Sequence, residues 1–425
     1  MSSTFVLLGV FVLCICAGIP IAAGLGVSAV AALLVDGLPL YMIAQRMMTQ
    51  INTFTVMAIL FFMLSGEIMC KGTMTEKLVN WAQTLVGHIA GGLAIAAGVA
   101  ATFFSALSGS SAATCASIGS IMIGKMQEHG FPKKFTASVI ATSGITGIVI
   151  PPSVTFVVYG VVTGQSVSKL FAGGVIPGLL LAASVWLLSW YFSKKHGYGT
   201  VEKFSFKKLW KATKKGVFVL LMPLIILGGI YGGFVTPNEA AVIAAVYAFI
   251  ITAFVDRALN WKLMKEILIK SCVETAVVLL IMQTASAFSW VLTNAGVPAA
   301  LGRWCANVGA NKYVFLLALN LVFLLAGMLI TGSAAVSILA PIFLPVAISF
   351  GIDPIHLGVI MIVNLAIGYI TPPVGVNLYL SGGVAKVSIE DLVKENMPFL
   401  IATLVVLVIV NLVPAFSLWI PSFVK

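Results

Sequence analysis

The chain has 425 residues, of which 60% are hydrophobic and 9% charged, and its mean hydropathy is +1.11. A soluble protein keeps roughly a quarter of its residues charged, because its surface must face water. Apolar stretches of about 20 residues, long enough to cross roughly 30 Å of hydrocarbon, recur along the chain. These features exclude a soluble globular protein. They predict an all-α integral membrane protein, since the stretches are too long for barrel strands.

The formal net charge of +11 comes from basic residues that are grouped in loops, with eight lysines in the single stretch 194–215. Lys and Arg collect on the cytoplasmic side of membrane proteins. We therefore interpret 194–215 as a basic cytoplasmic loop and expect no nucleic-acid partner. The six cysteines show no ligand spacing, which predicts neither a metal site nor a disulfide.

The first half of the chain, residues 1–193, predicts three scaffold spans, then a re-entrant hairpin and a broken helix. The first apolar stretch has no basic leader, so we expect a retained span and not a removed signal peptide. Pro151 and Pro152 break a later span because neither supplies an amide donor. In chain order, we predict scaffold spans within 4–70 (4–18, 21–35 and 53–70, with 36–51 on the outer surface), an inner-surface segment at 72–88, the hairpin and broken helix within 89–164 (arms 89–107 and 112–126, broken span 135–164), and a span at 172–193.

The second half, residues 216–425, predicts the same plan. Thr331-Gly332-Ser333 separates two apolar stretches that we interpret as a second hairpin, and Pro372 and Pro373 break the next span. About ten spans and two hairpins result, with both termini on the periplasmic side. The predicted elements are scaffold spans within 217–293 (217–234, 238–255 and 271–293), an outer segment at 295–312, the hairpin and broken helix within 313–385 (arms 313–331 and 334–350, broken span 356–385), and a last span at 397–420.

The two halves repeat one another. An offset of 221 residues carries Gly147–Pro152 onto Gly368–Pro373, with the Pro-Pro pair in register. The basic loops put the two hairpins on opposite sides of the membrane, so the repeats are inverted. Inverted repeats with paired broken helices are typical of secondary transporters, whose binding sites lie at the breaks.

Hairpin tips and helix breaks expose backbone groups that lack intrahelical partners. Helix N-termini attract a carboxylate, whereas free carbonyls and hydroxyls are hard oxygen ligands for a cation. Neither tip nor break carries Asp, Glu or His, although a proton-coupled carrier usually has a titratable group at depth. We therefore predict sodium coupling, with one ion near each tip. The neutral polar residues there are Ser105, Ser108, Ser110, Ser111, Thr114, Thr142, Ser143, Thr146, Thr331, Ser333, Asn364, Thr371 and Asn377.

The transported solute is expected to be a small carboxylated molecule held at the same interruptions. Small residues also let membrane helices pack closely, which is the alternative explanation of Ser-rich and Gly-rich stretches taken singly. Their pairing with two Pro-Pro breaks favours a binding site. The residues predicted to bind the substrate are Ser111, Pro151, Pro152, Asn364, Pro372, Pro373 and Asn377.

Five motifs make the chain resemble the large membrane subunit of a TRAP (tripartite ATP-independent periplasmic) transporter. The resemblance covers essentially the full length, and the motifs follow the order of that family. They are Ser105-Ala-Leu-Ser-Gly-Ser-Ser-Ala112, Ile150-Pro-Pro-Ser153, Leu170-Phe-Ala-Gly-Gly-Val-Ile-Pro-Gly178, Gly233-Phe-Val-Thr-Pro-Asn-Glu-Ala240 and Ile370-Thr-Pro-Pro-Val-Gly-Val-Asn-Leu378.

This resemblance implies an elevator-type fold in a bacterial inner membrane, driven by a sodium gradient and needing no cofactor besides sodium. It implies a small four-helix membrane subunit and a periplasmic substrate-binding protein as partners. The implied substrate is an organic acid: a C4-dicarboxylate, a keto acid or an acidic sugar. Carried over by motif, the sodium ligands are Ser108, Ser110, Gly147 and Ile150 at the first site and Gly332, Ser333, Gly368 and Thr371 at the second.

Three other functions remain open from the sequence. A stand-alone divalent-anion/sodium symporter shares the hairpins and repeats but needs no partner. A passive channel would transport without a sodium gradient. An intramembrane serine protease would need a base within hydrogen-bond reach of a tip serine. The four histidines fall at or near predicted loops, which disfavours the protease.

Overall fold

The structure, a computed structural model, describes residues 2–201, 203–307, 309 and 311–424. Over these residues every regular element is a helix and no strand occurs. Eight of the described helices are long and apolar enough to cross a membrane, and five shorter apolar helices accompany them. The predicted class, an all-α integral membrane protein, is confirmed. The exact number of spans and the side that each loop faces stay predictions, and Met1 and Lys425 lie outside the described residues.

Ten α-helices cover the first half. Pro20 and Pro132 precede helix starts, three serines cap other starts, and glycines with positive φ follow several helix ends, where the chain leaves helical geometry. The helices are α1 (Ser2–Cys16), α2 (Ile21–Asp36), α3 (Tyr41–Ile51), α4 (Met57–Lys71, after a 3-10 turn at Phe54–Val56), α5 (Met74–Val86), α6 (Gly92–Ser108), α7 (Ser111–Glu128), α8 (Lys133–Gly144, extended by a 3-10 turn at Ile145–Ile148), α9 (Val154–Thr163) and α10 (Val167–His196).

A further ten α-helices are described in the second half. The longest has 34 residues and extends about 50 Å at 1.5 Å per residue, well beyond the thickness of a bilayer. The helices are α11 (Phe206–Tyr231), α12 (Pro237–Ile250, continued by a π turn at Ile251–Val255), α13 (Trp261–Asn294), α14 (Val297–Asn307), α15 (Lys312–Leu329), α16 (Gly332–Ser349), α17 (Pro354–Gly368), α18 (Val376–Ala385), α19 (Ile389–Leu412) and α20 (Ala415–Leu418).

The predicted basic loop at 194–215 is mostly helical, which corrects its boundaries. Helix α10 continues to His196, and α11 begins at Phe206, so the loop spans only residues 197–205. Lysine is a good helix former, and basic residues in the last turn of α10 interact favourably with its C-terminal dipole. Ser205 caps the start of α11 by accepting a hydrogen bond from the Lys208 amide. Most lysines of this stretch therefore extend from helix ends.

Three other predicted boundaries are also corrected. The span expected at 271–293 begins ten residues earlier, at Trp261, because Asn260 Oδ1 accepts a hydrogen bond from the Leu263 amide and caps the helix. The outer segment 295–312 contains the separate helix α14, and Lys312 already belongs to α15. The last span, expected at 397–420, covers Ile389–Leu412 instead. Ser388 caps its start, and Pro414 follows its end, where no helix can continue unbroken.

The helices pack as two groups. In the first group, which we call the scaffold, α4 contacts α12 and α13, α2 contacts α1 and α13, and α5 contacts α11. The second group, the hairpin domain, contains the two hairpins (α6–α7 and α15–α16) and the broken helices (α8–α9 and α17–α18), with α10 and α19 against them. The groups meet where α5 packs on α6 and where α13 packs on α16.

Ion pairs join the helices of the scaffold. Lys270 on α13 lies 2.5 Å from Glu67 on α4, and Lys71 lies 2.7 Å from Glu266. The Glu67 side chain is 5% exposed. Removing the partner of a buried charge leaves that charge uncompensated, at a cost of about 3–5 kcal/mol. This pair therefore ties α4 to α13 and gives the scaffold a fixed geometry beside the hairpins.

Candidate functional site

The first helix break is a gap in the backbone hydrogen bonds of α8 and α9. Pro151 and Pro152 have no N–H, so the carbonyls of Gly147 and Ile148 lose the donors that a continuous helix would supply. The Ser153 hydroxyl replaces one of them by donating to the Ile148 carbonyl at 2.6 Å. The carbonyl of Gly147, a predicted sodium ligand, thus lies where the proline sequence removes its helical donor.

The first hairpin tip turns at Gly109, whose φ of +60° favours glycine. The Gly109 amide donates to the Ser105 carbonyl and closes α6, and the Ser110 hydroxyl accepts from the Ala113 amide and opens α7. Ser108 Oγ shares a hydrogen bond of 3.0 Å with Thr114 Oγ1. The tip is therefore a serine-lined turn with the N-terminus of α7 at its end.

The first tip and the first break are in direct contact. A Cβ atom on Gly147 would lie 2.5 Å from the Ser110 carbonyl oxygen, so only glycine permits this approach. Ser105 Oγ and Thr146 Oγ1 share a hydrogen bond of 2.8 Å. Ile150 follows on the same break and is buried. Two predicted ligands of the first sodium site, Ser110 and Gly147, are therefore in contact. The other two, Ser108 and Ile150, lie close to them along the chain.

Asn377 belongs to this first tip, although it follows the second break in sequence. Its Nδ2 donates to Ser111 Oγ and to the Ala141 carbonyl, both at 2.9 Å, and it is fully buried. Two of the residues predicted to bind substrate, Ser111 and Asn377, are therefore in contact. The matching contact of the other tip is with the start of α9, because Gly332 packs on Thr155. Each hairpin is completed by the broken helix of the other half.

The second break replaces its lost helical donors differently. The Asn377 amide donates to the Tyr369 carbonyl at 3.0 Å, and the Thr371 amide donates to the Gly368 carbonyl at 3.1 Å. Thr371 Oγ1 donates to the Ile367 carbonyl at 2.7 Å. Thr371 is 8% exposed, whereas Pro372 is half-buried and Pro373 is exposed. The second break is thus more open than the first, where both prolines are buried.

The second tip is capped by a phenol that sequence analysis did not identify. The Gly332 amide, the first of α16, donates to Tyr369 Oη at 2.6 Å. Ser333 is half-buried and Thr331 exposed. Gly368 packs against α15: a Cβ there would lie 2.4 Å from the Gly327 carbonyl carbon. Of the predicted second sodium residues, Gly332 and Ser333 therefore lie at the tip and Gly368 and Thr371 at the break, where Gly368 packs on the first arm of the hairpin.

One further residue that sequence analysis did not identify, Asn396, joins the halves. Asn396 on α19 accepts a hydrogen bond of 2.8 Å from Thr142 Oγ1 and donates to the Ile370 carbonyl at 3.3 Å. It therefore links the helix before the first break to the backbone of the second. A lone asparagine in an apolar span was the available signal, because a buried amide in lipid requires partners.

Asn364 lies one helical turn before Gly368, in a cluster of three asparagines. Its Nδ2 donates to Asn320 Oδ1 at 2.6 Å, and Asn320 Nδ2 donates to Asn411 Oδ1 at 2.9 Å. The three side chains line the base of a leucine-walled groove of about 280 Å³ between α15, α17 and α19. Neither hairpin tip contributes to this lining. Among the residues predicted to bind substrate, Asn364 is the one whose described contacts place it in this groove.

His356 lies in the first turn of α17, near a loop as predicted, but it is buried, with 1% of its surface exposed. Its Nδ1 is 2.5 Å from Ser417 Oγ near the end of the chain. Asp353 and Pro354 form the N-cap and the first residue of this helix. The described hydrogen-bond partners of Ser108, Ser110 and Ser111 include no His, Asp or Glu, so none of the three has a general base beside it.

These sites present only neutral hydroxyl, amide and carbonyl groups together with helix N-termini. Such a set contains no carboxylate or imidazole to transfer a proton, and no group of metal-ligating His, Cys, Asp or Glu occurs among the described residues. Paired hairpins and broken helices that enclose neutral polar groups are typical of a membrane permease of the secondary-transporter class.

The comparisons with known proteins agree with this class. Residues 8–416 match the family model of the tripartite ATP-independent periplasmic transporter, DctM component. The chain belongs to this family. It is 39% identical over 435 residues to the C4-dicarboxylate TRAP transporter large permease protein DctM of Rhodobacter capsulatus, an alignment that covers 99% of each chain.

Two further comparisons extend this result. The chain is 41% identical over 416 residues to the isethionate TRAP transporter permease protein DctMQ of Oleidesulfovibrio alaskensis, covering 97% of this chain and 66% of that protein. Its fold resembles the crystal structure of the Alcanivorax borkumensis YdaH transporter, with a TM-score of 0.63 at 15% identity over 86% of each chain. The last likeness concerns the fold alone. The predicted family and membrane fold are confirmed.

Proposed function

We propose that the chain is the large permease subunit of a sodium-driven importer of a small organic acid. The single observation that carries this proposal is the contact between the first tip and the first break, where Ser110 meets Gly147. Proline-freed carbonyls and serine hydroxyls surround that contact, and they are the hard neutral oxygens that a sodium ion binds. No titratable side chain bonds to the tip among the described residues, which disfavours proton coupling.

The proposed sodium ligands are Ser108, Ser110, Gly147 and Ile150 at the first site. At the second site they are Gly332, Ser333, Gly368 and Thr371. The acid binds between the two tips and contacts Ser111, Pro151, Pro152, Pro372, Pro373 and Asn377, whereas Asn364 bonds to Asn320 away from both tips. Two cations held beside a carboxylate lower the free-energy cost of placing its charge in the low-dielectric interior of the protein. The binding of the acid is therefore coupled to the binding of sodium.

The proposed partners are a small four-helix membrane subunit and a periplasmic substrate-binding protein. A relative that carries an additional third of its length beyond the matched region is named as one DctMQ permease, which supports a membrane partner for this chain. The proposed location is a bacterial inner membrane, and the proposed motion is a sliding of the hairpin domain against the scaffold. The named relatives transport a C4-dicarboxylate and isethionate, so the candidate substrates are small carboxylates and sulfonates.

Reconstitution in liposomes tests the proposal. The chain is inserted together with its membrane partner, the binding protein is added outside, and uptake of radiolabelled succinate, isethionate, sialic acid and 2,3-diketogulonate is measured. We expect one acid to accumulate with sodium outside and not with potassium. Accumulation driven by a pH gradient without sodium would contradict the coupling. Equal sodium-driven uptake by the chain alone would favour the stand-alone symporter.

A further inference from the structure

A polar crevice of about 190 Å³ lies between the scaffold and the second hairpin. It is lined by α3, by the C-terminal half of α13 and by the first turns of α16, with Arg46 from α3 as the one charged side chain among its described lining residues. We propose that this crevice is an outer binding site for the carboxylate or sulfonate group of the transported acid. The inference rests on the proposed function, because it identifies where the acid first binds.

Arg46 is positioned to bind an anion. Its guanidinium lies over the Trp290 ring, 5.2 Å from the ring centroid, and it has no ion-pair partner among the residues that the structure describes. Stacking on an aromatic face orients a guanidinium and leaves its edge N–H groups free. Those edge donors match the two oxygens of a carboxylate or sulfonate.

The other polar groups of the crevice are neutral. Gln50 follows Arg46 by four residues and therefore lies on the same face of α3. Thr293 stands on the facing helix, one turn after Ser289, and donates its hydroxyl hydrogen to the Ser289 carbonyl at 2.8 Å. The Gln50 amide adds a donor for the bound anion. With no carboxylate in the described lining, nothing there competes with an acid for Arg46.

The crevice leads to the second tip. Its inner wall contains Ser337, whose hydroxyl donates to the Ser333 carbonyl at 2.8 Å. Ser289 Oγ donates to the Ser337 carbonyl at 3.5 Å and closes the wall on the scaffold side. The crevice therefore ends one helical turn from Ser333, a proposed sodium ligand.

The size of the crevice restricts its ligand. Its volume of 190 Å³ is below the roughly 300–1,000 Å³ of sites for drug-sized ligands. The crevice therefore fits a small acid such as isethionate or succinate, or the acidic group of a larger acid.

Substitution of Arg46 tests the proposal in the reconstituted complex. In Arg46→Gln, the KM for the transported acid is expected to rise roughly tenfold to a hundredfold, the range for losing a charged hydrogen bond, while kcat changes less than about twofold. Arg46→Lys keeps the charge but lacks the stacked guanidinium with its paired donors, and is expected to recover only part of the affinity. Arg303→Gln is the matched control, because Arg303 is exposed on α14 outside the crevice. A lower kcat with unchanged KM would show that Arg46 only anchors α3, and would overturn the proposal.

A binding measurement separates this proposal from the transport function. Succinate and isethionate are titrated onto the purified complex, and the tryptophan fluorescence of the wild type is compared with that of Trp290→Phe to isolate the Trp290 signal. We expect a saturable change in that signal, which Arg46→Gln abolishes and Arg303→Gln preserves. A saturable signal without sodium-driven uptake would refute the transport proposal alone. Uptake without any Trp290 response would refute the crevice.

Discussion

The two hairpin tips occupy equivalent places in the repeat but differ in exposure and in partners. At the first tip, Ser108 and Ser111 are at most 3% exposed, and side-chain hydrogen bonds join them to Thr114 and Asn377. At the second tip, Ser333 is half-buried and Thr331 exposed. A buried site keeps its ligand apart from water, whereas an open one exchanges it. If each tip holds a cation, as proposed, the cation at the first tip should exchange more slowly and the acid should enter beside the second.

One pair of equivalent residues accounts for part of this difference. The 221-residue offset carries Ile148 onto Tyr369. Ile148 contributes its carbonyl to Ser153, whereas Tyr369 reaches across to the Gly332 amide and occupies the N-terminus of α16. An N-terminus that already has an acceptor attracts an anion less. Equivalent positions in the two repeats therefore make different hydrogen bonds.

The largest expected effect is that of Gly147→Ala. A Cβ there would lie 2.5 Å from the Ser110 carbonyl, so the tip must move away from the break. Overpacking of this kind costs about 1–3 kcal/mol, and displaced ligands should reduce sodium-driven uptake by roughly a hundredfold. Uptake by the reconstituted complex is the measurement, with Gly124→Ala as the control, since a Cβ at Gly124 meets nothing within 4 Å. Normal uptake by Gly147→Ala would contradict the proposed first sodium site.

Replacing Asn377 and Asn364 in turn distinguishes the role of the first tip from that of the cluster of three asparagines. Asn377→Ala removes the donor to Ser111 and the Ala141 carbonyl, which costs about 1–3 kcal/mol for buried groups, and uptake should fall at least roughly tenfold. Asn364→Ala should change uptake less than about threefold, because its partners Asn320 and Ile360 lie away from both tips. Uptake by each variant is measured as a function of the sodium concentration. A larger effect at Asn364 would instead support its predicted role in substrate binding.

Cysteine labelling compares the exposure of the tips directly. In a background without the six native cysteines, Ser333→Cys should react with a membrane-impermeant thiol reagent about tenfold faster than Ser111→Cys, because labelling requires an accessible thiolate. Sodium and acid should protect the second tip more than the first. Equal labelling rates would remove the proposed distinction between a closed and an open site.

The smallest expected effect is that of Tyr369→Phe, which deletes only the phenol oxygen. Without it, the buried Gly332 amide loses its acceptor, and the capped second tip is destabilised by about 1–2 kcal/mol. We expect the labelling rate of Ser333→Cys to rise about threefold. Tyr379→Phe, on the exposed face of α18, serves as the control. An unchanged rate would mean that the phenol does not hold the tip closed.

The sequence was sufficient for the membrane class, the approximate helices and both interruptions. Apolar length and the positions of Pro151–Pro152 and Pro372–Pro373 act locally, and each removes or permits particular backbone bonds regardless of the rest of the chain. It was less accurate for helix ends such as those around 194–215, because lysine-rich segments extend a helix as readily as they form a loop.

Only the tertiary structure decided which half completes which site. Asn377 follows the second break in sequence but bonds to the first tip, and Arg46 shares a crevice with Ser337 of α16, almost 300 residues away along the chain. Asn364, one turn before the second break, bonds instead to Asn320, which in turn bonds to Asn411. Sequence spacing fixes the neighbours of a residue on its own helix. Contacts between helices depend on how inverted repeats cross, which no local pattern records.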